Sequence, residues 1–421
     1  MKKTISIISL GCPRNLVDSE KLITEFTKKG YIFQEHIAHS DTVIVNTCAF
    51  IEDAKKESID AVLSAIDAKK SSNIKTLVVA GCLVERYKKE LEKEFKEVDE
   101  FRGVLDFNGQ NNAGEGLKPS PARLTPGHYA YIKISEGCAN RCAYCVIPYL
   151  KGNYKSRAMG PIIKEAEQLI DKGVKELILI GQDTSLYGID LYGKKKLGDL
   201  LKELAEISKD VWIRLLYLHP ANLDKEFLKV IRNNKNICRY IDLPLEHSSD
   251  RILNKMHRRT TRKQIISLVD YIRKEIPGAA IRTSLIAGFP GETEKEVKEL
   301  VSFVKEMRFE RLGVFKYSRE EGTPAYEYKG QVPEKEKEKR FNRLMSAQKH
   351  VSKTINQALI GKLLKVLVEE KGRDYYIART EYDAPEIDGL VYVRGKNLRV
   401  GNFYDVKITD TYEYDLTGYT A

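Results

Sequence analysis

The chain has 421 residues, more than one hydrophobic core usually serves, so several domains are expected. Its 42% hydrophobic and 31% charged residues exclude a disordered chain, and no apolar run approaches the roughly 18 residues that span a bilayer. A soluble, cytoplasmic protein with no membrane partner is expected, and the excess of 71 Lys and Arg over 60 Asp and Glu, net +11, favours an acidic partner such as RNA or a ribonucleoprotein surface.

Three segments near the N-terminus share one grammar: residues 5–12, 41–48 and 75–82 are short β-branched runs ending in Cys12, Cys48 and Cys82. Helical stretches at 18–29 and 51–69 separate them, which predicts a parallel, helix-covered sheet over residues 1–110. The carboxyl ends of such strands share one edge, where the three cysteines would converge; three unrelated core thiols are the alternative. Residues 111–128, rich in Gly, Asn, Pro and Ser, read as a linker.

From 129 to 357 strand-like runs at 131–135, 176–181, 212–217, 239–243, 280–286 and 312–317 alternate with helix-period segments at 162–172, 197–208, 223–233, 262–275 and 294–307. Six such units predict an open (β/α)6 barrel with its chemistry at the carboxyl ends of the strands. A charged helix at 334–359 connects to residues 358–421, where alternating strands at 364–368, 375–379, 390–393 and 403–409 predict a small antiparallel β-barrel. Residues 361–421 hold nine Lys or Arg against eleven Asp or Glu, a net of −2. The tyrosines Tyr375, Tyr376, Tyr392, Tyr404, Tyr412 and Tyr414 are expected mainly in the core of this barrel, with base stacking as the other use.

The seven cysteines are an odd number, and in a long chain from a reducing compartment they are metal ligands or catalysts sooner than disulfide staples. Cys138, Cys142 and Cys145 form a C-x-x-x-C-x-x-C immediately after the first barrel strand. A loop this tight wraps three irons of a cubane and leaves the fourth open, whereas a structural zinc knot wants four closed ligands. Cys238 reads as core packing. Arg14, Arg141 and Arg157, close in sequence to the other cysteines, are either tuners of the thiolates or solvated surface charges.

The cysteine motif, with Tyr144 before its last cysteine, resembles the radical S-adenosylmethionine (SAM) superfamily. The resemblance implies a cluster whose open iron chelates SAM, with Tyr144, Gly181, Gln182, Asp183, Glu246 and Ser284 as cofactor-binding residues. Gly181-Gln182-Asp183 closes the second strand, Leu243-Pro244-Leu245-Glu246-His247 the fourth, and residues 284–292 the fifth; Gln182-Asp183 departs from the commoner acidic pair. The three-domain order as a whole resembles the methylthiotransferases, which implies that Cys12, Cys48 and Cys82 hold a second 4Fe-4S cluster and that the C-terminal barrel is TRAM-like. Gly11-Cys12-Pro13-Arg14-Asn15-Leu16, Gln182-Asp183-Thr184-Ser185 and the segment 383–389 are similar to the branch that modifies an aspartate β-carbon of small-subunit ribosomal protein twelve. The branch acting on a modified adenosine of tRNA is the alternative, and a zinc-stabilised RNA-binding module is a third reading. The implied partners are that ribosomal protein, on the ribosome or free, with nucleic acid only as part of the ribosome, and an electron-donor protein. A net negative C-terminal barrel agrees with a basic protein as substrate.

Overall fold

The structure, a computed structural model, describes residues 3–105, 123–223 and 225–420. Most of the linker expected at 111–128 lies outside the described residues.

The N-terminal unit runs β1 (Thr4–Ser9), α1 (Pro13–Lys28), β2 (Ile32–Phe33), β3 (Thr42–Thr47), α2 (Glu52–Ser71), β4 (Thr76–Gly81), α3 (Cys82–Glu94) and β5 (Glu100–Arg102). Its strands form one parallel sheet in the order β2-β1-β3-β4-β5. The β-branched residues Val43, Val45 and Val79 face one helix layer, while Ile5, Ile44 and Val78 face the other, so both faces are covered. Pro13 opens α1, where its missing N–H costs nothing, and Val17, Leu22, Ile23 and Phe26 form the buried stripe of that helix.

The central unit continues with β6 (Tyr129–Lys133), β7 (Ser135–Glu136), α4 (Ile147–Leu150), β8 (Lys155–Ser156), α5 (Met159–Asp171), β9 (Glu176–Ile180), α6 (Ile189–Tyr192), α7 (Leu197–Ile207), β10 (Trp212–Leu215), α8 (Lys225–Asn233), β11 (Tyr240–Asp242), α9 (Asp250–Lys255), α10 (Arg262–Glu275), β12 (Ala280–Ala287), α11 (Glu294–Met307) and β13 (Arg311–Lys316). Two parallel three-stranded sheets, β6-β9-β10 and β11-β12-β13, are joined by a bridge between Ile213 and Ile237. Among the described residues β6 and β13 do not pair, so the barrel is open along that seam. Ala130, Ile132, Leu177 and Leu179 face the helices, whereas Tyr129, Tyr131, Ile178, Ile180, Trp212 and Tyr240 fill the lumen, as the period-two alternation of strands requires. Helices α10 and α11 begin with reciprocal capping boxes, Thr261 with Gln264 and Thr293 with Glu296, which satisfy the free N–H groups of each first turn.

Helix α12 (Glu334–Gln357) leads into β14 (Leu363–Lys371), β15 (Tyr376–Thr380), β16 (Val391–Arg394), β17 (Phe403–Thr411) and β18 (Leu416–Thr420), a closed barrel in the order β14-β15-β16-β18-β17. β18, absent from the strand pattern read in the sequence, is the strand that closes it. Leu367 and Ala384 of this domain enter the amino-end mouth of the central barrel, and Val17 of α1 packs into the same lumen core. Of the six tyrosines expected mainly in the small barrel's core, Tyr376 is buried there and Tyr404 packs against it; Tyr392 is half-buried beside Tyr375, and Tyr375, Tyr412 and Tyr414 are exposed. They sit on outward-facing or turn positions, where alternation gives them no interior to enter.

Candidate functional site

The three N-terminal cysteines do stand at the carboxyl ends of adjacent strands: Cys12 at the start of α1, Cys48 after β3 and Cys82 as the first residue of α3. Glycines let them approach. Gly11 has φ +86°, and a Cβ there would lie 2.7 Å from Cys48 Cβ. Gly81 has φ +96°, and a Cβ there would collide with the Asn46 side chain and lie 2.7 Å from the Thr47 carbonyl oxygen. The three thiols feel one another. Burial would raise Cys12, but the charge and hydrogen bond of Arg14 and the backbone N–H groups at the start of α1 outweigh it and hold the thiol low. Burial raises Cys48, with Cys12 adding to the rise, and pushes Cys82 up to about 12 against the pull of Lys151.

Cys138, Cys142 and Cys145 lie on the loop between β7 and α4. Burial and the neighbouring thiols of the same loop raise Cys138 and Cys145. Asn140 Nδ2 donates to Cys138 Sγ at 3.6 Å and Arg258 Nη1 to Cys142 Sγ at 3.7 Å. Soft thiol donors with N–H groups aimed at two of the sulfurs fit an iron–sulfur cluster, whose charge such contacts offset. Among the described residues no three His, Cys, Asp or Glu side chains converge on a single-ion site.

The residues expected to hold the cofactor fall into two groups around this loop. In one, Ser284 Oγ donates to Glu246 at 3.3 Å and Tyr144 also hydrogen-bonds the same carboxylate. Burial raises the Glu246 carboxyl against the pull of Arg258. Glu246 has φ +71° and is pinned in that sparsely populated conformation by its N–H on Ser284 O and by Ile286 N–H on its own carbonyl, both 2.8 Å. His247 Nδ1 accepts the Ser249 N–H at 2.9 Å, so Nε2 carries the proton and faces Glu292 at 3.1 Å. Glu292 also accepts Gly288 N–H and Arg340, tying the 247 and 288–292 segments together.

In the other group Asp183 accepts from Asn140 and Asn222, both at 2.7 Å, and Gln182 Nε2 donates to Glu136. Gln182 Oε1 is buried without a partner, an acceptor left for a bound group. Asn222, Arg258, Glu136 and Tyr217 were not among the expected site residues. The only sequence signal for them was position, since each follows a strand or helix end on the same rim.

The two cysteine sets share one rim. Leu150 and Val146, beside Cys145, pack with Cys82 and Leu83 of the N-terminal unit. Asp18 of α1 accepts from Lys133 at 2.5 Å and from Lys151 at 3.0 Å, and Lys133 also donates to Glu136 at 2.7 Å. Arg14 is the closest link. Its Nε donates to Cys12 Sγ at 3.5 Å, its Nη1 to the Gly181 carbonyl at 3.2 Å, and its guanidinium lies 4.5 Å from the centre of the Tyr217 ring. Of the other two arginines near cysteines, Arg141 is exposed and Arg157 is buried in an ion pair with Glu165 at 2.7 Å, neither of them on a thiol. Cys238 is buried in the lumen core, as packing.

A three-thiol loop after the first strand of a six-stranded β/α barrel defines a radical SAM protein, here with a thiol-bearing domain on one mouth and a small β-barrel on the other. Family models agree in chain order: "Uncharacterized protein family UPF0004" over residues 4–103, "Radical SAM superfamily" over 132–304 and "TRAM domain" over 360–420. The chain is 48% identical, over 99% of both chains, to the ribosomal protein uS12 methylthiotransferase RimO of Caldanaerobacter subterraneus subsp. tengcongensis. It is 46% identical over 99% of both chains to that of a Thermoanaerobacter strain, and 42% over 99% of both to that of Bacteroides fragilis. It belongs to this family, the ribosomal protein uS12 methylthiotransferases, and is a radical-SAM methylthiotransferase. The fold is shared with the radical SAM methyltransferase TsrM of Kitasatospora setae, with a TM-score of 0.58 at 13% identity over 92% of this chain and 82% of that one. Membership of the superfamily carries with it an iron–sulfur cluster and SAM.

Proposed function

We propose that the chain inserts sulfur and a methyl group at the β-carbon of an aspartate of ribosomal protein uS12, the twelfth protein of the small subunit. The observation that supports this most is the Arg14 bridge, which brings the Cys12 thiol to the carboxyl end of β9, the same end of the barrel as the second thiol set. In this reading Cys138, Cys142 and Cys145 hold one 4Fe-4S cluster, with SAM among Tyr144, Gly181, Gln182, Asp183, Glu246 and Ser284. Cys12, Cys48 and Cys82 hold a second. Bound there, these groups supply a radical able to take hydrogen from an unactivated C–H bond and a soft sulfur to meet the carbon left behind.

The chain's own residues prepare that chemistry. Asn140, Arg14 and Arg258 place N–H donors on sulfur. Glu246 and Asp183 offer carboxylates whose positions are fixed by their hydrogen bonds, and the packed lumen beneath excludes water.

The surface of the C-terminal barrel carries a charge opposite in sign to the net of its residues. Its exposed charged side chains are eight basic and five acidic, because six of its eleven acidic residues are not exposed, among them Glu369, Asp383 and Asp388, which are turned inward onto partners in this chain. The net of −2 is therefore not the charge a partner meets, and the assignment of uS12 rests on the family. An exposed cationic surface is suited to ribosomal RNA phosphates, so the substrate is met on the ribosome, in the cytoplasm, with an electron-donor protein supplying reducing equivalents. The divisions 1–110, 111–128, 129–357 and 358–421 serve as the working domains. Among the described residues no helix is long and apolar enough to cross a membrane.

Anaerobically prepared protein with reductant, SAM, small ribosomal subunits carrying uS12 and total tRNA tests the proposal. A methylthio group on an aspartate of the protein is the expected product; a methylthio group on a tRNA adenosine under the same conditions, with uS12 unchanged, would refute it.

A further inference from the structure

We propose that the Arg14 guanidinium, lying on the Tyr217 ring at the junction of the two thiol sets, is the seat of the substrate aspartate's side-chain carboxylate. The proposal rests on the reading of the substrate as an aspartate.

The charged groups along this rim are nearly all paired within the chain. Asp18 holds Lys133 and Lys151, Glu136 holds Lys133, and Asp242 holds Arg282 at 2.9 Å. Arg258 has no ion pair among the described residues but lies in the field of Glu246 and donates to Cys142 and the Pro244 carbonyl, and Arg14 lies more weakly in the field of Glu136. Among the described residues no carboxylate stands within ion-pair distance of Arg14. Its two recorded donations go to a sulfur and a peptide carbonyl, one each from Nε and Nη1. A guanidinium has five N–H donors in a fixed fork, so the second N–H of Nη1 and both on Nη2 are left, and a carboxylate with two oxygens matches the fork between these two nitrogens.

The site is built, and the cost of building it shows in the backbone. Tyr217 has φ +62°, a conformation a bulky residue rarely adopts. It is held there by Asp242 Oδ2, which accepts the Tyr217 N–H at 2.8 Å, and by Thr184, whose N–H and hydroxyl both donate to the Tyr217 carbonyl, at 3.0 and 3.2 Å. The strain lays the ring beneath the guanidinium. The ring packed 4.5 Å from the guanidinium limits where Arg14 can swing at the junction of the two thiol sets, which is where a substrate whose β-carbon must reach both would carry its carboxylate. A tether alone would explain the contacts to Cys12 and Gly181, but it gives no reason for a strained tyrosine under the cation.

Binding, not turnover, is the readout. Holoprotein is titrated with small ribosomal subunits carrying uS12 and with subunits whose uS12 has asparagine in place of the modified aspartate. The intact site should prefer the aspartate form by about ten-fold or more, the scale of a charge-assisted pair lost to a neutral amide. Arg14→Met should bring that preference to about one. Tyr217→Leu, which removes the ring but keeps the Arg14 donor on Cys12, should cut it several-fold, and iron content measured on both variants separates loss of the carboxylate seat from loss of iron. A preference retained in both variants overturns the proposal while leaving the substrate reading standing. Failure of the unaltered protein to bind uS12 at all overturns the substrate reading itself.

Discussion

Glu176, the first residue of β9, accepts from Arg379 of the C-terminal barrel at 2.5 Å, and both side chains are fully buried. The same carboxylate accepts from Arg214 of β10 at 2.6 Å. Around this pair Arg311 meets Asp383 at 2.5 Å, Tyr240 donates to Asp388 at 2.6 Å and the Trp212 and Phe403 rings lie 4.7 Å apart. The C-terminal barrel is thus a plug in the amino-end mouth of the central one, with the segment 383–389 joined by Leu367, Arg379 and Phe403 in entering it.

Removing Arg379 leaves Glu176 with Arg214 alone and takes the arginine from Glu369, and breaking a buried ion pair typically costs about 3–5 kcal/mol. Arg379→Ala should lower stability by that order, read from the denaturant midpoint, and a loss below about 1 kcal/mol would contradict the plug. The network also carries a pH signature. Burial alone would raise Glu176, but Arg214 and Arg379 hold its carboxyl below the usual 4.5. Its contribution is complete above the unfolded-state value and fades as pH falls through the folded one, so acid destabilisation should begin below about pH 4.5 and be blunted in Glu176→Gln.

Lys21 makes the opposite case on α1. Burial first, then the nearby Lys133, pull its ammonium down from 10.5 to about 7, and Asp18 at 3.8 Å does not restore it because that carboxylate is engaged with Lys133 and Lys151. Its Nζ has no hydrogen-bond partner. The unfolded chain binds the proton more tightly, so the full penalty is present below pH 7 and lifts as pH rises toward 10.5. Lys21→Met should raise stability by about 1 kcal/mol or more at pH 6 and by clearly less at pH 9, in paired thermal melts. An equal gain at both pH values would show that the ammonium is not the cause.

Much of this architecture was legible in the sequence because periodicity reports it directly. The β-branched runs ending in Cys12, Cys48 and Cys82 became β1, β3 and β4 with their cysteines one to three residues past the last strand residue, and α10 and α11 occur over the residues their apolar spacing marked. What the sequence did not disclose was pairing across long separations. β18 ends a chain whose alternation is broken by Gly418, and the inward turn of Glu369, Asp383 and Asp388 depends on arginines that lie far away along the chain, so the charge of that domain misread its surface. Arg14 was visible as a neighbour of Cys12, yet its stacking partner Tyr217 lies about two hundred residues on, held by a strain no pattern announces.

If two independent sets of three thiols each hold a cluster, changing Cys138, Cys142 and Cys145 together to Ala should leave about half the iron. Iron and sulfide analysis of anaerobically purified protein reads this. Complete loss of iron, or zinc in its place, would argue against the two-cluster scheme.

A division of labour follows for Cys48. Cys48→Ala should still cleave SAM reductively to deoxyadenosine, because the barrel thiols are untouched, while sulfur insertion falls to background. Chromatography of the nucleoside and mass spectrometry of the protein product measure the two in one reaction. Unchanged methylthiolation would remove Cys48 from the sulfur-supplying set.

The most direct measurement is mass spectrometry of uS12 and of total tRNA from cells with and without this protein. The methylthio group on the uS12 aspartate should disappear with the enzyme while the tRNA is unaltered. Loss of a methylthio group from tRNA, with uS12 unchanged, would contradict the account.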